Sequence, residues 1–401
     1  MKKIVLINLF FGQFPWYFNF FLKSCEANKD INFLIFTDND VDFIFPPNVK
    51  LIKASLDSFN ELASERLGFK INVRRPYKFC DFKPCFGEIF QNYITEYDFW
   101  GMCDIDLVFG RIRNFITDDL LNNFDVISVR HDYTTGFFLL FKNTKEINSL
   151  FKKSKDYKKI LTSVNNYCFD ECNYKYSYLE EPKDILNIDC EIESMLEVLV
   201  KENEKGNIIV HFDFLVVEGT PGKLKWDNGI LSYNNKFEVL LYHFVAYKYN
   251  IFSKKINWDK IPDVFYIDKY NITKSRYVKF LFRYWWIDFI YPSIFNFFQK
   301  IEKIISILVY KKRMNIMRKG TYFSVESIWE ISNDIYGNNI LNTVNEINLP
   351  IYELMFNKNY FYVKHHSCFY KFHQSEDKYS ENFEEVRKDG NTNIFNWRVP
   401  N

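Results

Sequence analysis

The chain begins with Ile4-Val5-Leu6-Ile7-Asn8-Leu9-Phe10, a nearly unbroken apolar run. It has neither the two-residue alternation of a half-exposed strand nor the 3.6-residue period of a surface helix. Such a run needs cover on both faces, as a central strand of a largely parallel sheet receives from flanking helices. It passes directly into Gly12-Gln13-Phe14-Pro15 and holds no small-residue cleavage site, so it reads as a buried strand and not as a signal peptide. A helix is expected over residues 16–27, followed by apolar runs at 33–36 and 49–52. This strand–helix–strand rhythm predicts an α/β fold, Rossmann-related, with a mixed, mainly parallel sheet and helices on both faces. Ligands of such sheets bind beyond the carboxyl ends of the strands. Gly12, Thr37 and Asp38 follow the first two runs and become candidates for holding a nucleotide.

The pattern continues along the chain. Residues 79–93 are helical in pattern, and 97–103 approach a strand that ends in Asp104-Ile105-Asp106. Strands at 125–129 and 136–141, the second entered through Gly136, precede a helix over 192–200. Further strands are expected at 208–210 and 240–244, with a turn at Trp226-Asp227-Asn228-Gly229. Boundaries fall near 250 and 320. They separate a first domain (1–250), a basic aromatic helical segment (251–320) and a small acidic accessory region (321–401) without strong periodicity.

The net charge of +1 argues against a general nucleic-acid binder. Its distribution is uneven: from Lys274 to Lys319 eleven basic residues face two acids, Asp288 and Glu302, a local +9. That segment includes Arg283-Tyr284-Trp285-Trp286, and helices combining aromatics with cations are drawn to anionic headgroups. A helix packed on an acidic flank is the alternative. The eight cysteines form no C-x-x-C pair, which fits reduced thiols and a cytoplasmic location. No stretch reaches the ~18 uncharged apolar residues of a spanning helix.

The sharpest constellation is Cys103-Asp104-Ile105-Asp106-Leu107-Val108-Phe109-Gly110. Two carboxylates two residues apart at a strand end can face one divalent cation and the phosphates it bridges; hard oxygen ligands suit Mg²⁺ or Mn²⁺. A solvated strand-end pair has the same spelling. Three histidines, His365, His366 and His373, gather with Cys368, but their spacing matches no structural zinc pattern.

Taken in order, several pieces resemble GT-A-fold glycosyltransferases, and more closely a bacterial family found with surface-polysaccharide genes. They are Tyr77-Lys78-Phe79-Cys80-Asp81-Phe82-Lys83-Pro84, Tyr97-Asp98-Phe99-Trp100-Gly101, the D-x-D segment, Thr135-Gly136-Phe137-Phe138, Phe169-Asp170-Glu171 and Tyr242-His243-Phe244. The resemblance spans residues 1–250 and implies a GT-A-like fold. By it, Asp104, Asp106 and His243 would hold Mn²⁺ or Mg²⁺ against a nucleoside diphosphate, and Lys248 would contact phosphate. Lys78 and Lys83 would neutralise donor phosphates, with Asp81 hydrogen-bonding a ribose or sugar hydroxyl. Phe11, Gly12 and Asp38 would cradle the base and ribose. Asp170 or Glu171 would orient or deprotonate the acceptor hydroxyl.

The reading implied is a metal-dependent glycosyltransferase using a nucleoside-diphosphate sugar, UDP favoured over GDP by analogy. Its acceptor would be a glycan or lipid-linked glycan at the inner, anionic face of the membrane. The alternative is a catalytically silent GT-A-like module that binds glycan or partners there.

Overall fold

The computed structural model describes residues 1–40, 45–213, 216–219, 221 and 223–275, with the backbone of strands between 322 and 394. The basic segment lies outside the described residues from 276 onward, as do the side chains of His365, His366, Cys368 and His373. The chain divides into two compact units, Met1–Phe280 and Leu281–Asn401.

In the first unit the opening run forms β1 (Ile4–Leu9), paired in parallel with β2 (Ile31–Thr37) and β4 (Phe99–Cys103). β3 (Val49–Lys53) extends the sheet beyond β2, again in parallel. On the other side β7 (Phe138–Lys142) runs antiparallel between β4 and β6 (Val126–Ser128), and β8 (Val210–Phe212) lies parallel to β6. The order β3-β2-β1-β4-β7-β6-β8 is the mixed, mainly parallel α/β sheet with helices on both faces that the sequence predicts.

The sheet is apolar on both faces because both are covered. Helix α1 (Phe18–Ala27) places Phe18, Phe21, Leu22 and Cys25 against Ile4, Leu6 and Phe33. The opposite face, with Val5, Ile7 and Trp100, receives Phe59 and Ala63 of α2 (Leu56–Leu67) and Val198 and Leu199 of α3 (Met195–Glu204). α2 starts at a Ser55 capping box and ends at Gly68 with φ +78°, a left-handed cap that glycine adopts without strain. Residues 79–93 fold as a 3₁₀ stretch, Pro76–Cys85, and two single-turn helices rather than one helix. Pro84 lies inside the 3₁₀ stretch, where its ring removes a backbone donor.

Two smaller sheets complete the unit. β5 (Leu107–Phe109), β9 (Val216–Val217) and β13 (Leu241–His243) form one of three strands. The other joins β10 (Leu224–Asp227), β11 (Ile230–Tyr233), β12 (Phe237–Glu238), β14 (Val264–Ile267) and β15 (Ile272–Thr273). The expected turn at 226–229 closes the β10–β11 hairpin, with both Asn228 (φ 48°) and Gly229 (φ 94°) left-handed. Trp226 Nε1 donates to Phe109 O at 2.9 Å and fastens this sheet to the strand after the D-x-D pair. Residues 251–273, grouped from sequence with the basic segment, contribute β14 and β15 to the first unit, because β14 pairs directly with β10. In the second unit, seven strands between residues 322 and 373 form one antiparallel sheet that the weak periodicity there did not predict.

Candidate functional site

The three-stranded sheet brings distant residues together by register. β13 runs antiparallel to β5 with His243 opposite Leu107, and Phe244 N donates to Asp106 O at 2.9 Å. β9 runs parallel to β13 with Val217 opposite Tyr242, so Glu218 emerges beside His243. Asp106 and Glu218 thus flank the two ring nitrogens of His243, although 137 residues separate Asp106 from His243.

They line a cleft of about 390 Å³ at the carboxyl end of β4. Five carboxylates, Asp104, Asp106, Asp170, Glu171 and Glu218, face it, against Lys83, Lys248 and His243. Asp106 Oδ2 contacts His243 Nε2 at 3.2 Å and Lys248 Nζ at 2.5 Å. Burial alone would raise the Asp106 carboxyl, but His243 and Lys248 together hold it well below the usual carboxylate range. Burial likewise works against a charged His243; Asp106 and Glu218 outweigh it and push the imidazole up to about 9. Asp104 is more open and receives Lys83 Nζ at 2.8 Å.

The opposite wall is a loop knotted around Gly136. Its N–H donates to Glu171 Oε1 at 2.8 Å, and its carbonyl accepts from Lys83 Nζ at 2.7 Å. A Cβ on Gly136 would stand 2.0 Å from Asp170 Oδ2. Adjacency in sequence leaves open which of Asp170 and Glu171 is free; their contacts distinguish them. Glu171 Oε2 accepts from Tyr176 Oη and from Cys168 Sγ, so both its oxygens are engaged. The Asp170 carboxylate accepts no hydrogen bond among the described residues and has Lys83 Nζ 3.8 Å away. Burial raises its carboxyl well above the usual range, with Lys83 pulling it down and Glu171 adding to the rise. Cys168 and Tyr174, also in this wall, are left-handed at φ 54° and 62°, a backbone cost that concentrates at functional loops.

Other sequence-level candidates lie elsewhere. Lys78 is buried outside the cleft, its three protons donated to Asp81 Oδ2 (2.7 Å), Ile160 O (2.7 Å) and Asn165 O (2.6 Å). Burial pulls its ammonium below the usual value, Asp81 opposing. Asp81 is fully buried and accepts from Tyr167 N and Phe169 N, so it fastens the loop that carries Asp170 instead of reaching for a ribose. Phe11 packs on Phe79 with ring centroids 5.0 Å apart and is not free to stack on a base. Gly12 N donates to Asp38 Oδ1 at 2.8 Å; the two tie the ends of β1 and β2 together and do not line the cleft.

Sequence reasoning missed Glu218, Arg130 and four cleft tyrosines, Tyr77, Tyr133, Tyr174 and Tyr176. Of these, only Tyr77 belonged to a quoted motif; the others sit on loops or, for Tyr176, on a single 3₁₀ turn, without periodicity.

Among the described residues no three His, Cys, Asp or Glu side chains converge as a preformed metal cage. The donor set still fits a hard divalent cation. Mg²⁺ characteristically takes one or two protein carboxylates and completes its shell with water and substrate phosphate. The excess of acids over lysines in the cleft supplies the charge that such an ion needs.

The lysine assignments give the first test. Lys83→Ala should weaken UDP binding by about 1.5–3 kcal/mol, the range for a charge-assisted hydrogen bond. Lys78→Ala should instead cost about 3–5 kcal/mol of stability, because it leaves the Asp81 carboxylate buried without its cation. Calorimetry with UDP and urea unfolding read the two effects; reversed outcomes would return Lys78 to the donor site.

Several solved structures are similar to part of this chain. A galactosyltransferase, LgtC, in complex with donor and acceptor sugar analogues, is 16% identical, with 46% of this chain and 69% of that one covered at a TM-score of 0.28. The apo form of mouse xyloside xylosyltransferase 1 is 8% identical, covering 59% and 96% at 0.33. The glycosyltransferase GlyE of Streptococcus pneumoniae TIGR4 is 13% identical, covering 40% and 43% at 0.22. No curated protein matches the chain. Residues 6–280 match the family described as "Family of unknown function (DUF6625)", and the chain belongs to that family.

Proposed function

We propose that this protein is a metal-dependent glycosyltransferase. It moves a sugar from a nucleoside-diphosphate sugar, UDP favoured, to a glycan or lipid-linked glycan acceptor in bacterial surface-polysaccharide synthesis. One observation carries the reading: a single cleft sets the D-x-D acids with two lysines on one wall and, on the other, the Asp170 carboxylate, which accepts no hydrogen bond among the described residues. The polysaccharide setting rests on the ordered motifs of residues 1–250.

In this mechanism Asp104, Asp106 and His243 are the residues that would hold Mn²⁺ or Mg²⁺. When bound, the cation neutralises negative charge developing on the departing diphosphate. Lys83 and Lys248 present their ammonium groups to the same phosphates from either side of the acids. Asp170 hydrogen-bonds the acceptor hydroxyl and takes its proton at the carboxylate, whose burial makes it a stronger base than an exposed carboxylate. Glu171 and Asp81 keep the Asp170 loop in place. Gly136 leaves room for the carboxylate.

The test is UDP release from UDP-sugars without acceptor, beside thermal unfolding with UDP and Mn²⁺. Ligand at one hundred times its Kd should add about 2.7 kcal/mol of stability. Stabilisation without UDP release identifies a silent binding module; neither effect sinks the reading.

The anionic inner membrane face belongs to the same proposal, supported by the +9 segment. No helix among the described residues is long and apolar enough to cross a membrane. The full chain should float with phosphatidylglycerol vesicles and be released by high salt, since each basic residue near the surface contributes about 1 kcal/mol. Equal flotation with neutral lipid would remove the membrane partner.

A further inference from the structure

We propose that Arg130 and Glu218 form an orienting chain that fixes the His243 ring with Nε2 turned to the metal position. The inference rests on the reading of His243 as a ligand. Both residues are positioning groups, and neither was legible in the sequence.

Glu218 Oε1 lies 3.3 Å from His243 Nδ1. Its other oxygen, Oε2, accepts from Arg130 Nη1 at 2.9 Å, so the carboxylate is held at both ends. Arg130 is itself locked. Its Nε and Nη2 donate to Asp132 Oδ1 at 2.8 Å and Oδ2 at 2.6 Å, and its guanidinium lies 4.4 Å above the Tyr133 ring. Phe137 packs against the imidazole with ring centroids 4.5 Å apart, which fixes the plane of the ring.

With one nitrogen tied and the plane packed, Nε2 is the nitrogen left facing Asp106 Oδ2. An imidazole ligates through a nitrogen without a proton, so the remaining proton must stay on the other nitrogen. A carboxylate at Nδ1 keeps it there, sets the ring's direction and raises the basicity of the ligating atom. Glu218 cannot easily serve as a ligand, because Arg130 and His243 already use its two oxygens. Its position one residue beyond the β9–β13 pairing makes the contact a product of strand register. The chain therefore runs from the loop after β6, through the end of β9, to the end of β13.

Calorimetric titration of Mn²⁺ into the full chain with saturating UDP tests this. Glu218→Ala should weaken Mn²⁺ binding about 10–100-fold, the usual effect of losing such a partner. Glu218→Gln should give an intermediate loss, because one amide oxygen can serve His243 or Arg130 but not both. Arg130→Met should weaken binding as well, and combining it with Glu218→Ala should add little, as expected of links in one chain. Additive losses would mark two independent structural effects and overturn the proposal. So would wild-type Mn²⁺ affinity in a folded Glu218→Ala protein. If that variant does not fold, the ranking of Glu218→Gln and Arg130→Met against wild type decides, and unchanged affinity in both overturns it. Loss limited to the variants leaves the function above intact; a wild-type protein that binds no Mn²⁺ sinks both.

Discussion

Asp106→Ala is expected to lower glycosyl transfer by on the order of 10³-fold, because it deletes the carboxylate on which His243 and Lys248 converge. From sequence, a strand-end acid contributes little to the core, and this variant would fold like the parent. The structure changes that expectation. Asp106 is only 5% exposed and neutralises two cations, so its removal should also destabilise the fold. Losing one partner of a buried pair costs about 3–5 kcal/mol, and the partial exposure of Lys248 (21%) reduces that figure here. Asp106→Asn separates the effects: it keeps the shape and one acceptor oxygen, and should unfold nearer to wild type while remaining inactive. Turnover of UDP-sugars and urea unfolding measure both. Full turnover and metal dependence in Asp106→Asn would remove the D-x-D assignment.

Gly136→Ala should lower transfer about 100-fold, the scale of a 1 Å misplacement in an active site. The added methyl would sit 2.0 Å from Asp170 Oδ2 and 3.0 Å from its Cγ, so the carboxylate must move. The backbone N–H and C=O of residue 136 keep their bonds to Glu171 and Lys83 if only that side chain yields. Donor binding should therefore stay within about twofold, and UDP release without acceptor should persist. A variant that transfers sugar at the wild-type rate would show that Asp170 has no part in the step.

The first half of the fold is legible because its signals are local. Residues 4–10, 33–36 and 97–103 are apolar on both sides, and that pattern admits few alternatives to buried strands. Asp104 and Asp106 were readable for the same reason: they end such a strand. Lys78 and Lys83 show the limit. They lie five residues apart on one 3₁₀ stretch, yet one braces a loop from inside and the other faces the cleft. Side-chain direction on an irregular helix has no sequence period to reveal it. Glu218 was hidden differently, since its place depends on register with a strand 25 residues away. β14 and β15, of four and two residues, are too short to leave a periodic trace.

The pairing of Lys83 with Asp104 and of Lys248 with Asp106 means that the resting cleft carries its own tethered counterions. A divalent cation arriving alone must displace ammonium groups that are already well placed. A nucleotide arriving alone would draw those lysines to its diphosphate and leave Asp104 and Asp106 without their counterions. Under the function proposed above, the two arriving together would exchange partners, the acids turning to the metal and the lysines to the phosphates. Such an exchange couples the two affinities, and thermodynamic linkage makes the coupling equal in both directions. Mn²⁺ should tighten UDP binding by the same factor by which UDP tightens Mn²⁺. A cell containing ample metal but little nucleotide sugar would then leave this cleft closed by its own lysines.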